Sequence, residues 1–413
     1  MSHLWVLVFV FVFITSALAL TALLLSQYIV LNALPLSVQD AGAIRYKSSS
    51  AASHAPPTSI EGNTIIPSSS SQSNTSVHPV SNVGCINYNT STRTISVSCS
   101  SARLTDIDNK IHDSSVLAKQ SSSGVWFLSA NLVIAKKATF HIDSIDTKWL
   151  KINSKVESNV TKLPPSYIIN VFGSLKIDSV KITSWDPTTN YYAITNGSRT
   201  GDITHLGAPR PSIIVENNAT GTTDITNSEI AYLGYEQGQH KGGSGLSYYY
   251  GGDGSIIRNN DIHHVYFGLY TFGVGHMIIE NNLIRNSGHY GLDPHTGTHD
   301  MIIRNNEVYD NKGGSGIICS LNCYNILIEN NKVHDNAGDG IDFSRNMFNS
   351  LVRNNIVYNE PTGIIVSQSH NNQIYNNTIS KSGTGINVNS GSTNNKIRKH
   401  YNRFYQECHI CKQ

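Results

Sequence analysis

Apolar residues recur along the second half of this chain with two nested periods. Within short runs such as Met277-Ile278-Ile279, Met301-Ile302-Ile303 and Ile326-Leu327-Ile328, β-branched and aliphatic residues cluster three at a time. No such run is long enough for a helix, so each predicts a short strand. The runs themselves repeat. A Gly followed by Leu or Ile stands at Gly245, Gly268, Gly291, Gly316, Gly340, Gly363 and Gly385, with spacings of 23, 23, 25, 24, 23 and 22 residues. An Asn-Asn pair falls in phase at Asn259-Asn260, Asn281-Asn282, Asn305-Asn306, Asn330-Asn331, Asn354-Asn355 and Asn376-Asn377. A period of this length signals a solenoid, because one unit cannot bury its own apolar face. The pattern predicts an all-β chain folded as a right-handed parallel β-helix, the handedness following the usual crossover rule. A leucine-rich-repeat horseshoe would need a Leu-x-x-Leu-x-Leu phrase that this repeat lacks. Asn suits the corners because it tolerates the left-handed backbone and its amide can bond the next Asn up the stack.

Counting from each repeat Gly, positions +1 and +3 point inward (Leu292 and Pro294, Ile317 and Cys319, Ile341 and Phe343, Ile364 and Val366). Positions +2 and +4 face outward. The outward set begins Ser247, Tyr249, Tyr270 and Phe272. It continues through Asp293 and His295 to Ile318, Ser320, Asp342, Ser344, Ile365 and Ser367. A groove lined first by aromatics and then by polar groups suits a carbohydrate, whose C–H faces stack on rings while its hydroxyls need partners.

Outside the repeat, the composition suggests four further segments. Residues 1–36 are almost wholly apolar from Leu4 to Leu36, and no charged side chain precedes Asp40. That predicts a signal anchor spanning a membrane or a signal peptide ending near Ala17-Leu18-Ala19, and either places the bulk of the chain outside the cytoplasm. Residues 37–82, rich in Ser, Thr and Pro, read as a linker. Residues 83–165 alternate like β-structure without the repeat and predict a small β-rich capping region ahead of a β-helix over 166–400. Residues 401–413 form a C-terminal cap or tail. The expected protein is a monomer, membrane-anchored with an extracellular domain or secreted.

Only 14% of residues are charged and the net charge is +2, which leaves no basic stripe for nucleic acid. Of the six cysteines, Cys85 and Cys99 can close a hairpin loop in an oxidising compartment. Cys408-His409-Ile410-Cys411 is a lone CxxC and makes a poor metal motif, so neither metal nor cofactor is expected.

The segment Tyr290-Gly291-Leu292-Asp293-Pro294-His295 concentrates candidate chemistry. A neutral imidazole is a base near neutral pH, a phenol can return a proton, and Asp293 can orient the base or bond the substrate. Removing the C5 hydrogen of a uronic acid creates an enediolate, so a cation must offset the carboxylate. Lys241 and Arg345 are the candidates, with Tyr249 and Tyr270 as stacking residues. Alternation alone does not put Tyr290 on the face of His295; it joins only if the chain bends at Gly291.

Set in such a solenoid, this segment resembles the YG-x-DPH signature of mannuronan C5-epimerases, right-handed β-helix enzymes that convert mannuronate to guluronate within alginate. The similarity runs from about Tyr232 to about residue 380. It implies His295 and Tyr290 as the proton-transfer pair, Asp293 beside them, and basic residues that neutralise the substrate carboxylate. Lys241 stands where the family has a lysine. The family arginine follows a Gly-Ile-Ile-Val-Ser strand one coil after the motif. Here that strand reads Gly316-Ile317-Ile318-Cys319-Ser320-Leu321, and Ser344-Arg345 comes one coil later. The Gly-Gly-x-Gly-x-Asp calcium repeats of secreted relatives are absent. The implied activity is C5 epimerisation of a uronate polymer. A polysaccharide lyase on the same fold and a non-catalytic glycan-binding or spacer protein are the competing readings.

Overall fold

A computed structural model describes residues 84–154, 166–194, 210–235, 243–389 and 391–398. The apolar segment 1–36, the linker 37–82 and the tail 401–413 lie outside the described residues. Among the described residues no helix is long and apolar enough to cross a membrane.

The described strands form three sheets of twelve, eleven and ten members, and each coil contributes one strand to each sheet. The coil of the motif is typical: Leu292–His295, then Ile302–Arg304, then Glu307–Tyr309. Each pairs in parallel with its counterpart one coil before and one coil after. The three walls enclose a single core. Leu269, Leu292, Ile317, Ile341 and Ile364 line one wall, Ile279, Ile303, Ile328 and Val352 the second, and Ile284, Val308, Val333 and Val357 the third. All are effectively sealed from solvent, and each contributes on the order of 1.5–3 kcal/mol by burial. The inward +1 and +3 residues are where alternation puts them.

The two asparagines of each corner pair divide the work. The first member turns the chain: Asn259, Asn281, Asn305, Asn330, Asn354 and Asn376 all have φ between 56° and 58°. The second member is buried and builds a ladder along the solenoid. Asn306 donates its backbone N–H and its amide to Asn331 Oδ1 at 3.0 Å each, and its amide also donates to the Ile279 carbonyl at 2.9 Å. Asn282 donates to Asn306 in the same way. Asn306→Ala therefore strands donors of Asn282 and a buried carbonyl at once. We expect a loss of about 2–4 kcal/mol in unfolding free energy, read as a lower urea midpoint.

The first coils differ from the expected capping region over 83–165. Thr94–Val97 already pairs in parallel with Asn131–Ile134, which pairs in parallel with Ile168–Val171, so the sheet runs through residue 166 without a break. The end structure is smaller. Ile86–Asn89 closes one sheet antiparallel to Thr94–Val97, and Leu117–Ser121 closes another antiparallel to Val125–Leu128. The eight-residue helix Leu104–Ile111 packs Leu104 and Ile107 into the core. These elements occupy edges that would otherwise expose unpaired backbone. A Cys85–Cys99 disulfide ties the terminal hairpin.

Candidate active site

Stacking the coils turns the alternating outward positions into rows. One row runs Ser247, Tyr270, Asp293 and then, past Ile318, Asp342 and Ile365. Its neighbour runs Tyr249, Phe272, His295, Ser320, Ser344, Ser367. His295 therefore sits at a boundary between aromatic coils and hydroxyl-bearing ones. Its ring lies 5.6 Å from Tyr270 and 6.0 Å from Phe272, and Tyr249 lies 5.6 Å from Tyr270. Tyr249 and Tyr270 are thus brought together beside His295.

Tyr290 reaches this face because Gly291 breaks the alternation. A Cβ on Gly291 would lie 2.5 Å from Val308 Cγ1, so that position points inward, yet the next residue, Leu292, also points inward. Two consecutive inward positions reset the parity and free Tyr290 to turn outward. Its ring lies 5.8 Å from Phe267, which lies 5.5 Å from Tyr270. Two rings, Phe267 and Tyr270, thus connect Tyr290 to His295 across the surface. The same glycine admits no side chain, since Gly316 O would also be 2.5 Å from its Cβ.

The electrostatics of the face follow from burial and one cation. Burial, reinforced by the positive charge of Arg345, lowers the His295 imidazole to about 4. The ring is therefore neutral at neutral pH. Its Nδ1 lies 2.6 Å from Thr296 Oγ1. With Nδ1–H donating to that hydroxyl, Nε2 carries the lone pair. Orientation of the imidazole thus falls to Thr296, and no hydrogen bond joins Asp293 to His295 among the described residues. Thr296 directly follows the motif; only its hydroxyl beside an imidazole could have signalled this.

Asp293 is 2% exposed and its Oδ1 has no hydrogen-bond partner. Burial holds its carboxyl well above the usual range, the charge of Asp342 adds to that, and Arg345 opposes it. Burial first, and then the charge of Asp339, raises Asp342 to about 7, again against Arg345. Tyr270 is pushed above its ordinary value by burial and by Asp293, so its phenol keeps its proton. Sequence alternation put Asp342 on this face but gave no reason to assign it a role.

Arg345 follows Ser344, two coils beyond His295, yet its side chain turns back. Its Nη2 donates to Ser320 Oγ at 3.1 Å, and Ser320 is the register partner of His295. A long side chain thus covers the one-coil displacement seen in the sequence. Lys241 lies outside the described residues.

Burial of Asp293 ties the stability of the fold to pH. The unfolded chain ionises Asp293 near the ordinary carboxylate value while the folded chain keeps the proton. The unfolded state then binds fewer protons, so stability falls as pH rises above that value, by up to about 1.4 kcal/mol per pH unit. Asp293→Asn abolishes this loss. We expect its melting temperature at pH 7 to exceed that of the parent, with the gap closing below about pH 4.

A neutral base, a cation within one coil of it and two carboxyl groups with raised proton affinity form a set suited to an acidic C–H next to a carboxylate. A family model described as periplasmic copper-binding protein (NosD) matches residues 215–410. The mannuronan C5-epimerase of Pseudomonas syringae pv. tomato is 27% identical over 268 residues, covering 62% of this chain and 46% of that protein. That of Pseudomonas putida is 26% identical over 267 residues, covering 62% and 47%. The chain thus spans about half the length of these relatives. The crystal structure of the periplasmic alginate epimerase AlgG superposes with a TM-score of 0.64 at 25% identity, over 74% of this chain and 69% of that one.

Proposed function

We propose that this chain, a relative of the mannuronan C5-epimerases, inverts C5 of uronate residues within a polysaccharide, with β-D-mannuronate in a polymer as the substrate and α-L-guluronate as the product. The solenoid is taken as right-handed, the hand expected of parallel crossovers. The observation that carries the reading is the placement of Arg345: its guanidinium is bonded to the register partner of His295 and acts electrostatically on both His295 and Asp293.

The steps follow from the groups present. The uronate carboxylate pairs with Arg345, while protonated Asp293 donates a hydrogen bond to the same group. His295 Nε2 takes the C5 proton, and the C–H electron pair moves into the carboxylate to give an enediolate. Arg345 and the Asp293 carboxyl stabilise the charge that develops there. Tyr290 delivers its phenolic proton to the opposite face of C5, and solvent returns both catalytic groups to their starting states. Tyr249 and Tyr270 stack on the neighbouring sugar. No metal or cofactor has a role in these steps.

Pairing of the uronate with Arg345 also tunes the base. The free site holds His295 at about 4 partly because of that positive charge. Once a carboxylate offsets the charge, the imidazole becomes a stronger base, closer to the operating pH where proton transfer is most effective. The enzyme works as a monomer outside the cytoplasm, carried there by the apolar segment 1–36 as an anchor or a cleaved signal, and Lys241 adds to the carboxylate clamp.

Nuclear magnetic resonance of polymannuronate incubated with the protein in deuterium oxide tests the reading. Deuterium at C5 of new guluronate, with chain length intact, is the expected result. Unsaturated chain ends would assign a lyase instead. Binding without any exchange, on this and other uronate polymers, would leave a glycan-binding protein.

A further inference from the structure

One corner of the solenoid departs from its own pattern. Following the bridged turn positions Gly275, His299, Tyr324, Phe348, His370 and Thr393, the next residue of each coil adopts a left-handed backbone. In later coils that residue is asparagine, at Asn325, Asn349, Asn371 and Asn394, with φ between 52° and 58°. In the two coils around the motif it is His276, with φ 60°, and Asp300, with φ 50°. Histidine has no steric advantage over asparagine in that conformation. Aspartate tolerates this conformation as asparagine does, so the two coils keep the turn while placing an imidazole and a carboxylate, both able to bind a metal, at successive corners.

The neighbouring row supplies the third group. His299 stacks on Tyr324 at 5.0 Å, at the end of a column continued by Phe348 and His370. On its other side the row holds Gly275, where a Cβ would lie only 2.5 Å from His299 Cε1. The absent side chain lets the His299 ring lie against the coil of His276, their centroids 5.6 Å apart. One ligand atom from each of His276, His299 and Asp300 falls within 4.8 Å of the others. Asp300 Oδ2 is 2.8 Å from His299 Nδ1, and its other oxygen accepts from Asn325 at 3.0 Å. A ligating carboxylate is commonly fixed in this way by an outer hydrogen bond.

We propose that His276, His299 and Asp300 form a binding site for a first-row divalent cation of the zinc type. Two imidazoles and one carboxylate suit borderline cations, whereas calcium and magnesium require oxygen donors. Metal–ligand bonds of about 2 Å set tetrahedral ligand atoms about 3.3 Å apart, a spacing that exposed His276 can reach by side-chain rotation. Three protein ligands leave one position open to solvent. The bound cation joins two consecutive coils at the turn four residues beyond His295, outside the proton-transfer groups. This site is independent of the epimerase reading.

Titration of the intact chain with zinc, followed by calorimetry and by the absorption of cobalt in its place, tests the proposal. His276→Asn restores the residue of the later corners, and His299→Phe keeps the ring column, so both preserve the fold. One zinc per chain, at least tenfold weaker in each variant and not displaced by excess calcium, is the expected result. Zinc binding unchanged in both variants overturns the site. So does binding lost only in a Cys408→Ser, Cys411→Ser double variant, or no binding at micromolar zinc.

Discussion

His295→Gln lowers the rate of C5 hydrogen exchange on polymannuronate by at least about 10³-fold, while far-ultraviolet circular dichroism and the urea midpoint stay near those of the parent. The size follows from the role: a positioned general base contributes about 10²–10⁴-fold, and no other neutral imidazole shares the row between Phe272 and Ser320. The fold tolerates the change because His295 projects from the outer face and the core beneath it is built by Leu292 and Pro294. The amide of Gln keeps a contact to Thr296 Oγ1 without offering a base. Deuterium exchange into intact polymer is the measurement, since it reports proton abstraction even where reprotonation returns the original configuration. Exchange at the parental rate would remove His295 from the mechanism.

Arg345→Gln produces the second large effect, and it has two parts that move independently. The rate falls by about 10²–10³-fold, the usual consequence of deleting a donor aimed at developing charge. The pH profile also shifts. Arg345 disfavours the imidazolium, so its removal raises the His295 value from about 4 toward that of an ordinary imidazole. Below its own pKa the base is protonated and inactive. The acid limb of kcat/KM therefore moves to higher pH in the variant, and activity lost at pH 5 exceeds activity lost at pH 8. A purely structural arginine would lower the rate without displacing that limb. Arg345→Lys keeps the charge but not the planar fork, so it should restore the limb more fully than the rate.

The solenoid was legible in the sequence because its physics repeats. Gly at a close approach, with an apolar residue beside it, recurs in seven coils and an Asn pair at the corner in six, and so many copies of a weak signal make a strong one. The first coils were harder to read. Thr94–Val97 and Asn131–Ile134 pair like later strands, but their coils lack the Asn ladder and the Gly-Ile phrase, so they read as a separate unit. The helix Leu104–Ile111 was missed because its eight residues are too few for a clear period.

At the site, alternation alone put Asp293, His295 and Asp342 outward, since strand parity is a local property. Tyr290 needed the inward direction of Gly291, which depends on Val308 and Gly316 of other strands. Thr296 and the backward reach of Arg345 are side-chain conformations, and no spacing rule encodes them.

That backward reach has an evolutionary consequence. On this face a group's effect is set by its row, while the coil that carries it matters only to within the length of the side chain. Adjacent coils in a sheet stand about 4.8 Å apart, and an extended guanidinium spans that gap. An ancestral arginine can therefore be lost from one repeat after another has arisen in the next, by point substitution and with the site occupied throughout. A lineage of such proteins would keep its charge pattern while shuffling the positions that carry it. Column-by-column sequence matching would then report a missing residue even where a guanidinium still reaches the same point of the surface.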